Sequence, residues 1–120
     1  MLRAFDAPTR EECTAQRPIS NTPLAALTLL NDPSFVEAAR VLAQRSLVAN
    51  DSSVAPSIEW IFQQVMTRGI TTDELQILLT LYESQLQRYQ QHDPKALEVL
   101  KVGMAPLEEQ LVPAQVAAML

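Results

Sequence analysis

Apolar residues recur at helical spacing along most of the chain, and each run is bounded by a proline, a glycine or a short capping side chain. Ile58, Ile61, Phe62, Val65 and Met66 fall on one face at 100° per residue, while Trp60 lies almost opposite them beside Gln63, Gln64 and Thr67. This spacing predicts a helix opened by Pro56 and closed at Arg68, with Gly69 beyond its end. The longest stripe follows, made by Leu75, Leu78, Leu79, Tyr82, Leu86 and Tyr89, and Ile77 with Leu81 forms a second, shorter one on another side. Thr71 and Glu74 have capping-box spacing and Ile70 is placed to pack back as a staple, so the helix starts at about residue 72. It ends near His92, because a residue before a proline, here Asp93 before Pro94, disfavours helical geometry. Two stripes imply two neighbours. Leu78 and Leu79 are expected in the core, and Ile77 and Leu81 join the off-stripe Trp60 as an interaction surface.

The first half of the chain uses the same signals. Thr22 caps and Pro23 opens a short helix through Leu30, and Asp32 with Pro33 starts a second one over residues 33–49, with a sharp corner between them. Asn50-Asp51-Ser52-Ser53 is a polar connection. A turn or two of helix over residues 94–102 is closed by Gly103, and Glu108-Glu109-Gln110 forms a polar hinge. The segment 113–120 starts another helix that meets no stop signal, and its apolar residues Val116, Ala117, Ala118, Met119 and Leu120 have no polar face beyond Gln115. Apolar surface of that kind is expected to meet a partner. Residues 1–21 show no helical period and read as an irregular arm. The expectation is an all-α domain fragment spanning 1–120: the arm, a helix pair over 22–49, a helical hairpin over 56–92 and short helical segments over 94–120. About four main helices form a small orthogonal or bundle-like array, with the last helix truncated.

Composition narrows the class. A chain of 120 residues that is 48% apolar is one ordinary domain with enough side chains for a core. Two glycines and eight prolines, set among runs of Ala, Leu, Gln and Glu, argue against an all-β fold. Nine basic against fourteen acidic residues give a net charge of -5, which repels phosphate backbones. Arg3, Arg10 and Arg17 are the nearest approach to a basic face, so no nucleic-acid partner is expected. The longest nearly apolar stretch, residues 24–30, falls far short of the ~20 residues that a membrane span requires, and no charged-then-apolar leader opens the chain. The lone Cys13 excludes an internal disulfide, and without Cys or His neighbours it forms neither a metal knuckle nor a covalent haem attachment. No cofactor and no metal site is read from the sequence.

The most specific string lies in the arm and the first two helices: Phe5-Asp6-Ala7-Pro8, Arg10-Glu11, Cys13, Arg17, Asn21-Thr22-Pro23-Leu24, Ala26-Leu27, Leu29-Leu30-Asn31-Asp32 and residues 35–40, Phe-Val-Glu-Ala-Ala-Arg. It resembles the C-terminal domain of the planctomycete cytochrome C family, a domain of unknown function in large exported proteins, where it stands beside cytochrome c-like and other uncharacterised modules. The resemblance is specific over residues 5–45 and looser from Pro56 to Leu79. Compared with the family pattern the chain is a tail fragment, lacking a segment before Phe5 and the continuation of a Leu-rich helix after Leu120. It does not contain the haem-binding part, so the resemblance implies no electron-transfer residue here. It implies a periplasmic or otherwise extracytoplasmic setting, whereas the chain expressed without a leader would stay cytoplasmic.

The candidate chemistry is sparse. Cys13 reads as a buried structural thiol, or else as a nucleophile or ligand completed by residues upstream. Asp6, Arg10 and Arg17 read as a charge-paired latch holding the arm, or as the lining of a shared pocket. Asn21, Asn31 and Asp32 read as turn and cap residues whose motif positions keep a pocket role open. His92, at a helix end, reads as a surface residue. No acid–base pair is legible and no catalytic residue is assigned. The functional expectation is therefore a structural or interaction module of a large exported, cytochrome c-associated multidomain protein, whose partner is the missing upstream part of the same domain or a second copy. The alternative is part of an enzyme, acting on extracellular polysaccharide or in a redox step, with a site completed by upstream residues. A truncated gene remnant is the third reading.

Overall fold

The computed structural model describes residues 22–120. The arm, with Asp6, Arg10, Cys13, Arg17 and Asn21, lies outside the described residues. Within them the chain forms six helices and no strand: α1 (Pro23–Asn31), α2 (Pro33–Ala49), α3 (Val54–Met66), α4 (Thr72–Gln91), α5 (Asp93–Leu100) and α6 (Pro113–Met119). The fold is all-α, as the apolar spacing predicts.

Caps set most of the boundaries. Thr22 Oγ1 accepts from the Ala25 amide at 3.3 Å, and the Asp32 carboxylate accepts from the Ser34 amide at 2.9 Å. Each cap is followed by a proline whose missing N–H would have had no helical partner anyway. After α2 the chain reverses through Asp51 and Ser52, both with positive φ, and the Ser52 amide donates to the Leu47 carbonyl at 2.7 Å. The helix read over residues 94–102 stops at Leu100, and both boundaries of α3 differ from the sequence reading. Helix α3 begins at Val54 because Ser53 supplies the extended cap residue, and Pro56 sits inside the first turn, where its lack of a donor costs nothing. It ends at Met66, not Arg68, because Thr67 turns left-handed with φ 56°. That conformation strains a β-branched residue by ~1–3 kcal/mol, and it releases Arg68 to leave the helix and meet Glu74.

The larger correction concerns the core. Along α4 only Tyr82 is buried, and Leu78 and Leu79 are half-buried. The core lies instead among Ala43 and Leu47 of α2, Ala96 and Leu100 of α5, and Val116 and Ala117 of α6, with Tyr89, Leu111 and Met119 packed against it. The segment expected to await a partner is thus the centre of the packing, since α6 touches α2, α4 and α5. The physical reason is the one that made it look unsatisfied: a helix apolar almost all round is a buried helix, and its alanines let neighbouring backbones approach closely. Where α2 crosses α3, the fully buried Ser57 donates from Oγ to the Ser46 carbonyl at 3.1 Å, and Ser46 Oγ donates to the Ala43 carbonyl at 2.8 Å.

One polar clamp ties the long connection between α5 and α6 onto α2. Glu37 Oε1 accepts the amides of Met104 at 2.7 Å and Ala105 at 2.6 Å, and these bonds hold its carboxyl below the usual range. One turn on, the guanidinium of Arg40, only 1% exposed, donates to the Ala105 carbonyl at 2.8 Å and to Pro106 O and Gln44 Oε1 at 3.4 Å. Gly103 turns here with φ 93°, and a Cβ on it would run into the Glu37 side chain, which cannot yield without breaking the clamp. Leu47→Ala is expected to lower the unfolding free energy by about 2–5 kcal/mol in urea titration, and half-buried Leu78→Ala by less than about 2 kcal/mol. Gly103→Ala is expected to cost about 1–3 kcal/mol, with amide exchange at Met104 and Ala105 rising ahead of the core.

Candidate interaction groove

Helix α3 packs on α2 and α4, and α6 packs on α4, but α3 and α6 do not close on each other. The space left between them is an open groove of about 630 Å³. Ile58, Ile61, Phe62, Val65 and Met66 of α3, which the sequence places on one face, form one wall. Leu78, Leu81, Tyr82, Gln85 and Tyr89 of α4 form the other, the end of the chain from Ala117 closes a third side, and Leu30 of α1 stands at the edge. Val65 and Leu30 are 62% and 75% exposed, so the rim is apolar as well as the floor. No Asp, Glu, Lys, Arg or His lines the groove. Its polar groups are the Gln85 amide and two phenols. The Tyr82 phenol is buried, its oxygen has no hydrogen-bond partner, and burial pushes its pKa up, so it stays a neutral donor.

The α3–α4 connection holds this hairpin open at one end. Thr71 and Glu74 form the capping box read from their spacing, with Thr71 N donating to Glu74 Oε2 at 3.0 Å. Arg68 adds a fork on the same carboxylate, at 2.6 Å to Oε1 and 3.0 Å to Oε2, and its guanidinium lies 4.8 Å from the centre of the Phe62 ring. The Arg68 fork, followed by the Thr71 bonds, brings the Glu74 carboxyl down to about 2.

The residues singled out in the sequence are only partly gathered here. Leu81 lines the groove and is 54% exposed. Ile77, one turn earlier on the same face, is 67% exposed and stands outside the lining. Trp60 is half-buried and is not a lining residue. Asn31 is used locally, its Nδ2 donating to the Leu27 carbonyl at 2.9 Å, and Asp32 is the cap of α2. His92 closes α4 and is exposed. Leu30 and the end of α6 were not foreseen as parts of one surface, because nothing local to either segment marks their meeting. The Glu37–Arg40–Gln44 face was also missed; its i, i+3, i+7 spacing is visible, but its partners lie more than sixty residues away. Among the described residues no group of three or more His, Cys, Asp or Glu could hold a metal, and no helix is long and apolar enough to cross a membrane.

Fold and groove together define an all-helical domain with a large neutral apolar opening. Residues 1–82 match PSD1, a protein of unknown function (DUF1553), and the chain belongs to that family. The match accords with the resemblance carried by the motifs of the arm and the first helices. It ends within α4, so α5 and α6 lie beyond it. No curated protein and no solved structure matches the chain.

The Arg68–Glu74 fork gives a pH test. Because folding depresses the Glu74 carboxyl from 4.5 to about 2, its contribution is complete above pH 4.5 and is lost as pH falls through about 2. The melting temperature is expected to drop over that window, and Glu74→Gln is expected to flatten the drop while lowering the melting temperature at neutral pH.

Proposed function

We propose that this chain is a structural or interaction module of a large exported, cytochrome c-associated multidomain protein, and that the α3–α4–α6 groove is the surface it presents. The observation that carries this reading is the groove itself: about 630 Å³, open, uncharged in its lining and rimmed by exposed Leu30, Val65 and Leu81. Exposed apolar surface on this scale marks a place where something binds. A neutral trough between helices suits the apolar face of a polypeptide helix, since no charge must be stripped of water on the receiving side. No lining side chain takes or gives a proton near neutral pH, which supports binding over turnover.

The net charge of -5 supports a protein–protein role over contact with nucleic acid, and the extracytoplasmic setting rests on the motif resemblance alone. The partner in this reading is polypeptide, either the upstream part of the same domain or another copy. Its binding is driven by apolar burial and is only weakly dependent on salt. An environment-sensitive apolar dye such as anilinonaphthalene sulfonate should brighten on the folded chain. At a concentration where the chain is monomeric, Leu81→Glu, at an exposed rim position, should cut that signal several-fold without shifting the melting temperature, and raising salt from about 50 to about 500 mM should leave it nearly unchanged. A folded chain that leaves the dye dark at a concentration where it sediments as a monomer would overturn the reading.

A further inference from the structure

We infer that the occupant of the groove is helix α1 of a second copy, exchanged reciprocally in a two-fold dimer; this rests on reading the groove as an interaction surface. Among the described residues α1 is the one helix with no buried residue. Leu24, Leu27 and Leu30 recur at three-residue steps along it and are 60%, 58% and 75% exposed. Such a stripe on a nine-residue helix finds too little to cover it on α2, its main neighbour.

Size, charge and hydrogen bonding match between helix and groove. Nine residues make a helix of about 14 Å, and the groove wall on α4 from Leu78 to Tyr89 runs about 16 Å. Helix α1 carries no Asp, Glu, Lys, Arg or His, and neither does the lining it would meet. Its polar side chains have already used their donors, Thr28 Oγ1 on the Leu24 carbonyl and Asn31 Nδ2 on the Leu27 carbonyl. Their donors are therefore satisfied before the helix enters an apolar groove.

The area is sufficient for a dimer. Fully covered, the exposed parts of Leu24, Leu27 and Leu30, with those of Val65, Met66, Leu81 and Leu120 on the rim, amount to at most roughly 700 Å² per contact. Two reciprocal contacts bury up to about 1,400 Å², which reaches the range of roughly 1,200–2,000 Å² typical of stable, specific interfaces. Leu30 already stands at the edge of its own groove, so each copy holds α1 beside the trough the other copy must fill. A two-fold arrangement then satisfies both surfaces at once and closes the assembly.

Sedimentation equilibrium on the full chain tests this. The expected result is a dimer at about 100 μM, with Leu27→Glu and Leu81→Glu each weakening association at least about tenfold while the circular dichroism stays helical. The decisive arm mixes Leu27→Lys chains with Leu81→Glu chains, each monomeric alone. A mixed dimer is expected, because one contact keeps both wild-type surfaces and the other pairs lysine with glutamate. A folded wild-type chain that stays monomeric, an unaffected Leu27→Glu dimer, or a mixture that does not associate would each overturn the proposal. If the chain is monomeric but the dye signal still depends on Leu81, the groove remains an interaction surface and only its occupant is wrong. If dye and second copy both fail to bind, the reading of the groove falls with it.

Discussion

A seven-residue helix has no stability of its own in water, because nucleating a helical turn costs more than so few backbone hydrogen bonds return. Helix α6 exists here because α2, α4 and α5 enclose it, and those helices are held together because Val116 and Ala117 fill the space between Leu47 and Leu100. This mutual dependence organises the rest. The chain wraps α2, α3 and α4 in succession, and α6 closes the circuit by returning to α2. Since α6 closes on α2 and α4 and leaves α3 aside, apolar residues of α3, α4 and α6 stand around an open space. The groove is the consequence of where the core was placed.

The connection that delivers α6 to its position is long, and of its apolar side chains Met104, Leu107 and Val112 are exposed and do little to hold it. A polar clamp substitutes. The Glu37 carboxylate takes two successive backbone amides, and the buried Arg40 guanidinium takes the carbonyls that follow, so donors and acceptors of the loop are satisfied from a single face of α2. Breaking the clamp removes partners from buried groups, and its effect reaches α6 through the loop. Thus an acid and an arginine one turn apart govern a helix in the last tenth of the chain. The latch expected from Asp6, Arg10 and Arg17 concerns residues outside those described, but the same chemistry operates between α2 and this loop.

Chemically the groove is narrow in its possibilities. It offers hydrophobic area, two phenols and one amide, without fixed charge, so it selects by shape and apolarity. The unused leucines of α1 have the same character, and a neutral surface facing a neutral surface costs no desolvation of ions. That complementarity within a single chain is what directs the functional reading toward association with polypeptide. The family match assigns no reaction.

Helix existence, type and start were legible from the residues alone, because caps and prolines act over three or four positions. Thr22-Pro23, Asp32-Pro33 and the Thr71–Glu74 box each decide their helix locally, whatever surrounds them. The stripe on α3 was legible for the same reason, and it became a groove wall. Where α3 ends was not, since the left-handed turn at Thr67 is strained by itself and is held by what Arg68 gains from Glu74 and Phe62. Nor could local pattern say which apolar face wins the core. The stripe of α4 and the tail after Pro113 are both apolar, and only the packing of small side chains against α2 and α5 put the tail inside and left Leu81 at a rim. Amphipathicity determines that a face is buried against something; which partner it meets is a matter of three-dimensional fit between segments far apart in the chain.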